Sequence, residues 1–395
     1  MADRATLALP EPDAAARAAS AALTKRIGDA IDAAGGAIDF AAYMELALYA
    51  PGLGYYSAGA RKLGAGGDFV TAPEMSPLFA TTLARELAPV LETLGGGAIC
   101  EAGAGSGVLA AGVLAGLDAL GQAPSRYLIL ERSAELRARQ RDTIAARVPA
   151  LAPRVEWLDD FPAAGFRGVV LANELLDALP ARRFRVGGRE PVELCVGRDG
   201  DRFRWTERAV GGDDRRALDE LLGTLAHALP PGYELEWAPA RAAWTAEWGR
   251  RLGAGLVLIV DYGYGRAEYY HPQRVRGTLA CHYRHRRHDD PFALVGLQDI
   301  SVHVEFTALA EAALEAGLDV AGFTSQGEFL LAAGLLDVAG SPAGDARAQA
   351  ELTAQIKHLT LPGEMGEAVK VLALTRELDA PLAGFSGTDR RARLG

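Results

Sequence analysis

Two stretches, Val-Val-Leu-Ala at 169–172 and Leu-Val-Leu-Ile-Val at 256–260, are apolar at every position. A strand with one wet face would alternate polar and apolar residues. These runs therefore demand cover on both faces, which a parallel sheet wrapped by helices provides. The surrounding sequence has the matching rhythm. "AICEAG" reads as a short strand and "SGVLAAGVLAGLDALG" as a helix; "RYLILER" is followed by the helical "SAELRARQRDTIAARV", and "RVEWLDD" leads into the first apolar run. Beyond the second run, "FTALAEAALEAG" and "GEFLLAAGLLDVA" read as helices, "LDVAGFTS" and "EAVKVLALTR" as strands. Strands alternating with helices specify βαβ units.

Two regions depart from this rhythm. Before residue 96 the chain reads as helices, including the Ala-rich 14–36, with Asp39 and Ser76 placed as N-caps. Between 182 and 240, alternation broken by a Gly-Gly and an Asp-Gly predicts antiparallel hairpins, followed by helices in "ALDELLGTLAHAL" and "PARAAWTAEWGRRLG". The expected organisation is a helical N-terminal extension with a cofactor-covering loop (1–95), the first half of a nucleotide-binding core (96–181), a hairpin and helix insertion (182–254), the second half of the core with a substrate-side loop at 264–303 (255–376), and a C-terminal tail (377–395).

Composition excludes several function classes. The net charge of −10 argues against nucleic acid or an anionic membrane as a general partner. The local exception, "HYRHRRH" at 282–288, reads equally well as a solvated loop. Cys100, Cys195 and Cys281 lie far apart without a CxxC spacing, so neither a zinc site nor a disulfide framework is expected, and a reducing compartment fits. No run of 18 apolar residues signals a membrane span, and the N-terminus has no signal-peptide or transit-peptide pattern; a cytoplasmic location is expected.

The chemistry starts at Glu101-Ala-Gly103-Ala-Gly105-Ser-Gly107, directly after a strand. No Lys follows, so this is not a P-loop, and Val108 stands where a dinucleotide fingerprint needs its third glycine. An acid two residues before GxGxG is instead the pattern of class I S-adenosylmethionine (SAM) methyltransferases. Glycine lets the backbone approach a nucleoside and an amino-acid tail, and Glu101 can accept from the ligand's ammonium end. Glu131 closes the next strand, where an acid can take both ribose hydroxyls. Asp159, with Asp160 as rival, closes the third, where a carboxylate can take the adenine amino group. At the fourth strand end Asn173, Glu174 and Asp177 fall beside the expected sulfonium. Carboxylates there can bind a guanidinium through charge-assisted bonds and aim its lone pair. His282, His285, His288 and His303 lack the HExxH spacing, so no metal is expected.

Several ordered stretches resemble the MidA-like family of SAM-dependent methyltransferases: "GDFVTAPEMSPLFA", "EAGAGSGVL", "NELLDALP", "VDYG", "GTLACHYRHRRHDDPF", "GLQDISVHVEFTAL", "SQGEFLLAAG" and "LPGEMGEAVKVLAL", spanning about 38 to 376. The resemblance implies an α/β fold: a class I SAM-dependent methyltransferase Rossmann-like sheet with a helical N-terminal extension and an antiparallel insertion. Eukaryotic members are mitochondrial complex I assembly factors that act as protein arginine methyltransferases. The resemblance thus implies SAM as cofactor, arginine methylation, and a protein substrate such as a respiratory-complex subunit. It also implies that Thr71, Pro73 and Glu74 join the cofactor site from a loop folding over it, and that Asp261, Tyr262 and His282 line the acceptor side. The competing readings are a methyltransferase on a small molecule or another side chain, a SAM-binding assembly chaperone without turnover, and an NAD oxidoreductase weakened by Val108. Base rates alone make a homodimer an expectation.

Overall fold

The computed structural model describes residues 9–57, 71–340 and 345–395. The chain divides into two compact units: Met1–Phe69, Ala178–Ala240 and Tyr270–Val302 form one; Val70–Asp177, Arg241–Tyr269 and His303–Gly395 form the other.

The second unit holds the parallel sheet. Its strands are β1 (Ala98–Ala102), β2 (Arg126–Leu130), β3 (Val155–Leu158), β4 (Phe166–Asn173), β5 (Leu252–Tyr264), β6 (Asp319–Ser325) and β7 (Val369–Arg376), in the order β3-β2-β1-β4-β5-β7-β6. The pairs among β1 to β5 are parallel, and β7 runs antiparallel to both β5 and β6. A short strand, Val304–Glu305, pairs in parallel with the end of β5. The two apolar runs occupy the centre of this sheet. Every residue of 169–172 and 256–260 is buried, so both faces are covered as the sequence required.

The helix Pro77–Thr93 packs on the helix Val108–Ala119 that follows the glycine turn. Gly112 and Gly116 make this approach possible: an added Cβ would lie 2.5 Å from the Ala80 Cβ and 2.6 Å from the Ala84 Cβ. Leu83, Leu87, Val90 and Leu91 then bury fully against the sheet, each contributing about 2 kcal/mol. Ser76 starts this helix by accepting from the Leu78 amide at 3.1 Å. The helix therefore belongs to the second unit, across the 95/96 boundary read from the sequence.

The first unit is antiparallel. Strands Ala37–Ile38, Arg182–Val186, Val192–Asp199, Arg202–Ala209 and Tyr233–Trp237 form one sheet. Its core takes Leu23, Ile27 and Ile31 from the helix Ala14–Ala33 and Phe40, Tyr43 and Met44 from the helix Phe40–Tyr49. Asp39 caps the second of these, accepting from Ala42 N at 2.8 Å. The segment read as a substrate-side loop contains a three-stranded sheet of Ala280–Tyr283, Arg286–His288 and Asp299–Ser301. Two helices differ from expectation. The one expected over "ALDELLGTLAHAL" spans Gly212–Gly223, where Asp213 and Asp214 favour its positive end. The one expected over "GEFLLAAGLLDVA" is split into Gln326–Ala332 and Leu335–Ala339 by Gly334 at φ 88°.

Candidate active site

The glycine turn leaves β1 with Gly103, Gly105 and Gly107 at φ 69°, 53° and 82°, a region that L side chains rarely enter. Crowding adds to this. A Cβ at 103 would meet the Leu175 side chain at 2.7 Å, and one at 107 would come within 3.0 Å of the Gln140 Cα. The third glycine thus stands at 107 because a helix backbone passes there.

Glu101 lies within β1, fully buried, and its Oε2 accepts from the Tyr127 hydroxyl at 2.6 Å. Burial pushes its carboxyl up to about 7; the Tyr127 bond pulls it down and the nearby Glu131 raises it further. Glu131 follows β2. Its Oε1 accepts from Ser133 N at 2.9 Å and its Oε2 from Gln140 Nε2 at 3.2 Å. Burial raises its carboxyl, against the pull of these bonds and of Arg137. The Arg132 amide is a further donor to this carboxylate, and with about four acceptor positions in all Glu131 retains capacity for a ligand hydroxyl.

Two residues that sequence reasoning passed over bind this end together. Gln140, buried in the helix Ala134–Arg147, also donates to Gly105 O at 3.1 Å and accepts from Trp157 Nε1 at 2.8 Å. Arg137, one turn earlier, donates to Glu131 O and Leu158 O, each at 2.6 Å, and so fixes the ends of β2 and β3. It also pairs with Asp159 at 2.8 Å. Asp159 itself is 93% exposed, and its rival Asp160 accepts from the Phe161 amide at 2.7 Å.

The opposite end is built on the turn after β4. Glu174 has φ 47°, a left-handed conformation that costs a non-glycine residue about 1–3 kcal/mol. Its amide bonds to Val260 O at 2.8 Å. Its Oε1 accepts from Ala72 N at 3.3 Å and from Asn173 Nδ2 at 3.4 Å. That contact orients the Asn173 amide, and the Asn173 Oδ1 is buried with no hydrogen-bond partner among the described residues.

Asp261 holds the turn from β5. Its Oδ2 accepts from three successive amides, Leu175 at 3.1 Å, Leu176 at 2.7 Å and Asp177 at 3.4 Å, and its Oδ1 from Tyr262 N at 2.8 Å. Burial raises its carboxyl to about 6, opposed by these amides and by Arg241. Expected on the acceptor side, Asp261 is instead a buried backbone anchor. Arg241, from the helix Pro239–Arg251, bonds to Asp177 O at 3.2 Å and His303 O at 2.7 Å. The Tyr262 ring stacks on His303 at 6.1 Å, and burial together with Glu174, Asp177 and Asp261 pushes its phenol up.

Of the other predicted residues, Glu74 accepts from the Ser106 hydroxyl inside the glycine turn, Pro73 is buried in the short helix Ala72–Met75, and Thr71 is its N-cap, its side chain making no capping bond to that helix. The expected covering loop falls largely at 58–70, outside the described residues. His282 belongs to the first unit, on the strand Ala280–Tyr283; burial first, then Arg287 and His288, pull its imidazole down to about 4, so it is neutral.

The profile of a family of S-adenosyl-L-methionine-dependent methyltransferases matches residues 82–324. A COG1565 superfamily member from Burkholderia thailandensis, crystallised with S-adenosyl-homocysteine, is 45% identical with a TM-score of 0.92, over 97% of this chain and 99% of that one. The protein arginine methyltransferase NDUFAF7 of Mus musculus is 28% identical over 86% of this chain and 81% of its own length, and the Drosophila melanogaster homolog is 27% identical over 95% and 91%. The chain belongs to this S-adenosyl-L-methionine-dependent methyltransferase family, and SAM is its cofactor. The acids and the side-chain-free cradle described above fit that ligand.

Proposed function

We propose that this methyltransferase delivers its methyl group to the guanidinium of a protein arginine. Cofactor roles extend residue by residue: Gly103, Gly105 and Gly107 admit the ligand, Glu101 takes its ammonium and Glu131 its ribose. When bound, SAM supplies an electrophilic methyl carbon on a sulfonium.

One observation carries the arginine reading. The Glu174 carboxylate and the unpartnered Asn173 Oδ1 stand side by side at the end of β4, with Asp177 near the Tyr262 phenol. That is an acceptor-rich, negatively charged corner, and a guanidinium offers five N–H donors and no acceptor. Glu174 binds two of those N–H groups and localises the positive charge on their side. The remaining nitrogen is then aligned with the methyl carbon; its N–C bond forms as the S–C bond breaks, and the proton it sheds passes to a carboxylate of the same corner. Alignment is the main task. The names of the mitochondrial relatives support a protein acceptor, and among the described residues no helix is long and apolar enough to cross a membrane.

The test is to incubate the protein with methyl-tritiated SAM and a cell lysate and to locate the label by mass spectrometry. Label on arginine guanidinium nitrogens is expected. Label confined to small molecules or to another side chain would overturn the arginine assignment and leave the methyltransferase activity standing.

A further inference from the structure

We infer that Gln140 is a positioning residue for the nucleoside end of the cofactor: it holds the Glu131 carboxylate in the orientation that receives the ribose hydroxyls.

The Trp157 indole N–H can only donate, so the atom of Gln140 facing it at 2.8 Å must be the amide oxygen. This fixes the amide: its NH2 is turned toward Gly105 O at 3.1 Å and Glu131 Oε2 at 3.2 Å, both acceptors. No flipped arrangement satisfies the three partners, because flipping would set an oxygen against a carbonyl and a carboxylate, and an NH2 against an N–H. Trp157 lies on β3, Gln140 on the intervening helix, Glu131 after β2 and Gly105 after β1, so one amide ties together three consecutive strand ends. The amide is fully buried, where such a network has one arrangement and a missing member is costly. The Arg141 guanidinium lies 4.6 Å from the Trp157 ring centre and keeps the indole in place.

The consequence for binding is specific. Ser133 N holds Glu131 Oε1 and Gln140 holds Oε2, with the Arg132 amide as a further donor, so the carboxylate plane is set before a ligand arrives. Two hydroxyls on adjacent ribose carbons need that plane fixed. With Trp157 fixing the amide, Gln140 donates to Glu131 and to the turn, so its loss is felt at the ribose more than at the adenine or the amino-acid tail.

The inference rests on Glu131 meeting the ribose, and the experiment separates the two claims. Affinities of S-adenosylhomocysteine and its 2′-deoxy analogue are measured by calorimetry on the wild type, Gln140→Leu and Trp157→Phe. The wild type should prefer the parent ligand; no preference would sink the ribose assignment for Glu131 and the inference with it. In Gln140→Leu the parent ligand should bind about ten- to a hundred-fold more weakly, the range for a lost bond to a charged group, and the preference over the deoxy analogue should collapse. Trp157→Phe, which frees the amide to turn, should shift both readouts in the same direction by less. It decides the matter alone if Gln140→Leu does not fold. A variant that weakens both ligands equally, or keeps the wild-type preference, would show that Gln140 merely supports the fold.

Discussion

The two ends of the site are built by opposite means. At the cofactor end, side chains satisfy side chains: Tyr127 serves Glu101, Gln140 serves Glu131, and Ser106 serves Glu74. At the acceptor end the backbone does the shaping. Glu174 sits at φ 47°, and three successive amides converge on Asp261. The cofactor end is thus held by packing that persists with or without strain. The proposed acceptor end keeps a costly turn because a carboxylate on a neighbouring strand holds the amides that follow it.

That contrast can be broken by substitution, and the largest effect is expected at the glycine turn. Gly107→Val combines φ 82° with a Cβ at 3.0 Å from the Gln140 Cα, and should lower S-adenosylhomocysteine affinity by more than about a hundred-fold in calorimetry. Next, Glu174→Gln should leave that affinity within about twofold and cut incorporation of tritiated methyl into protein by about a hundred-fold or more. Equal loss of both would mean that the two ends are one unit. Asp261→Asn sharpens the division, since it replaces an acceptor of four amides by a group with two donors. It should cost about 1–3 kcal/mol in denaturant unfolding and reduce methyl transfer by about tenfold through the displaced turn, with S-adenosylhomocysteine binding kept.

The smallest effect is in pH. The Glu101 carboxyl stands at about 7, above its ordinary value of 4.5, because it is buried. Its contribution to folding stability is therefore complete below the ordinary value and is lost as pH rises through about 7. Ligand affinity runs the other way. An ammonium partner needs the carboxylate, so S-adenosylhomocysteine affinity should rise several-fold from pH 6 to pH 8, and Glu101→Gln should flatten that profile. A profile that falls over this range would remove Glu101 from the ammonium contact.

How far the sequence reaches follows the same division. The parallel sheet was legible because runs such as Leu256 to Val260 admit only a doubly covered strand. Glu101, the three glycines and Glu131 were legible because contiguous residues fix them at strand ends. Gln140 was not: a glutamine within a charged helix reads as solvated, and only the fold brings it to Gly105 and Trp157. Arg241 was equally hidden, since its partners at 177 and 303 are far away in the chain. Asp261 was singled out, but its role could not be read from "VDYG", because the amides it binds belong to another strand's turn. No sequence pattern announces that Glu174 is left-handed. A Gly would have signalled that conformation, and this chain has an acid there instead.

That choice at 174 has a consequence for anyone engineering this protein. Glycine there would relieve the strained dihedral, and a library sorted only for heat resistance would drift toward it. The resulting enzyme would be more robust and would have lost the carboxylate proposed to grip its acceptor. On that proposed role, heat tolerance and turnover compete for a single codon, and selection for either property has to screen the other at the same time.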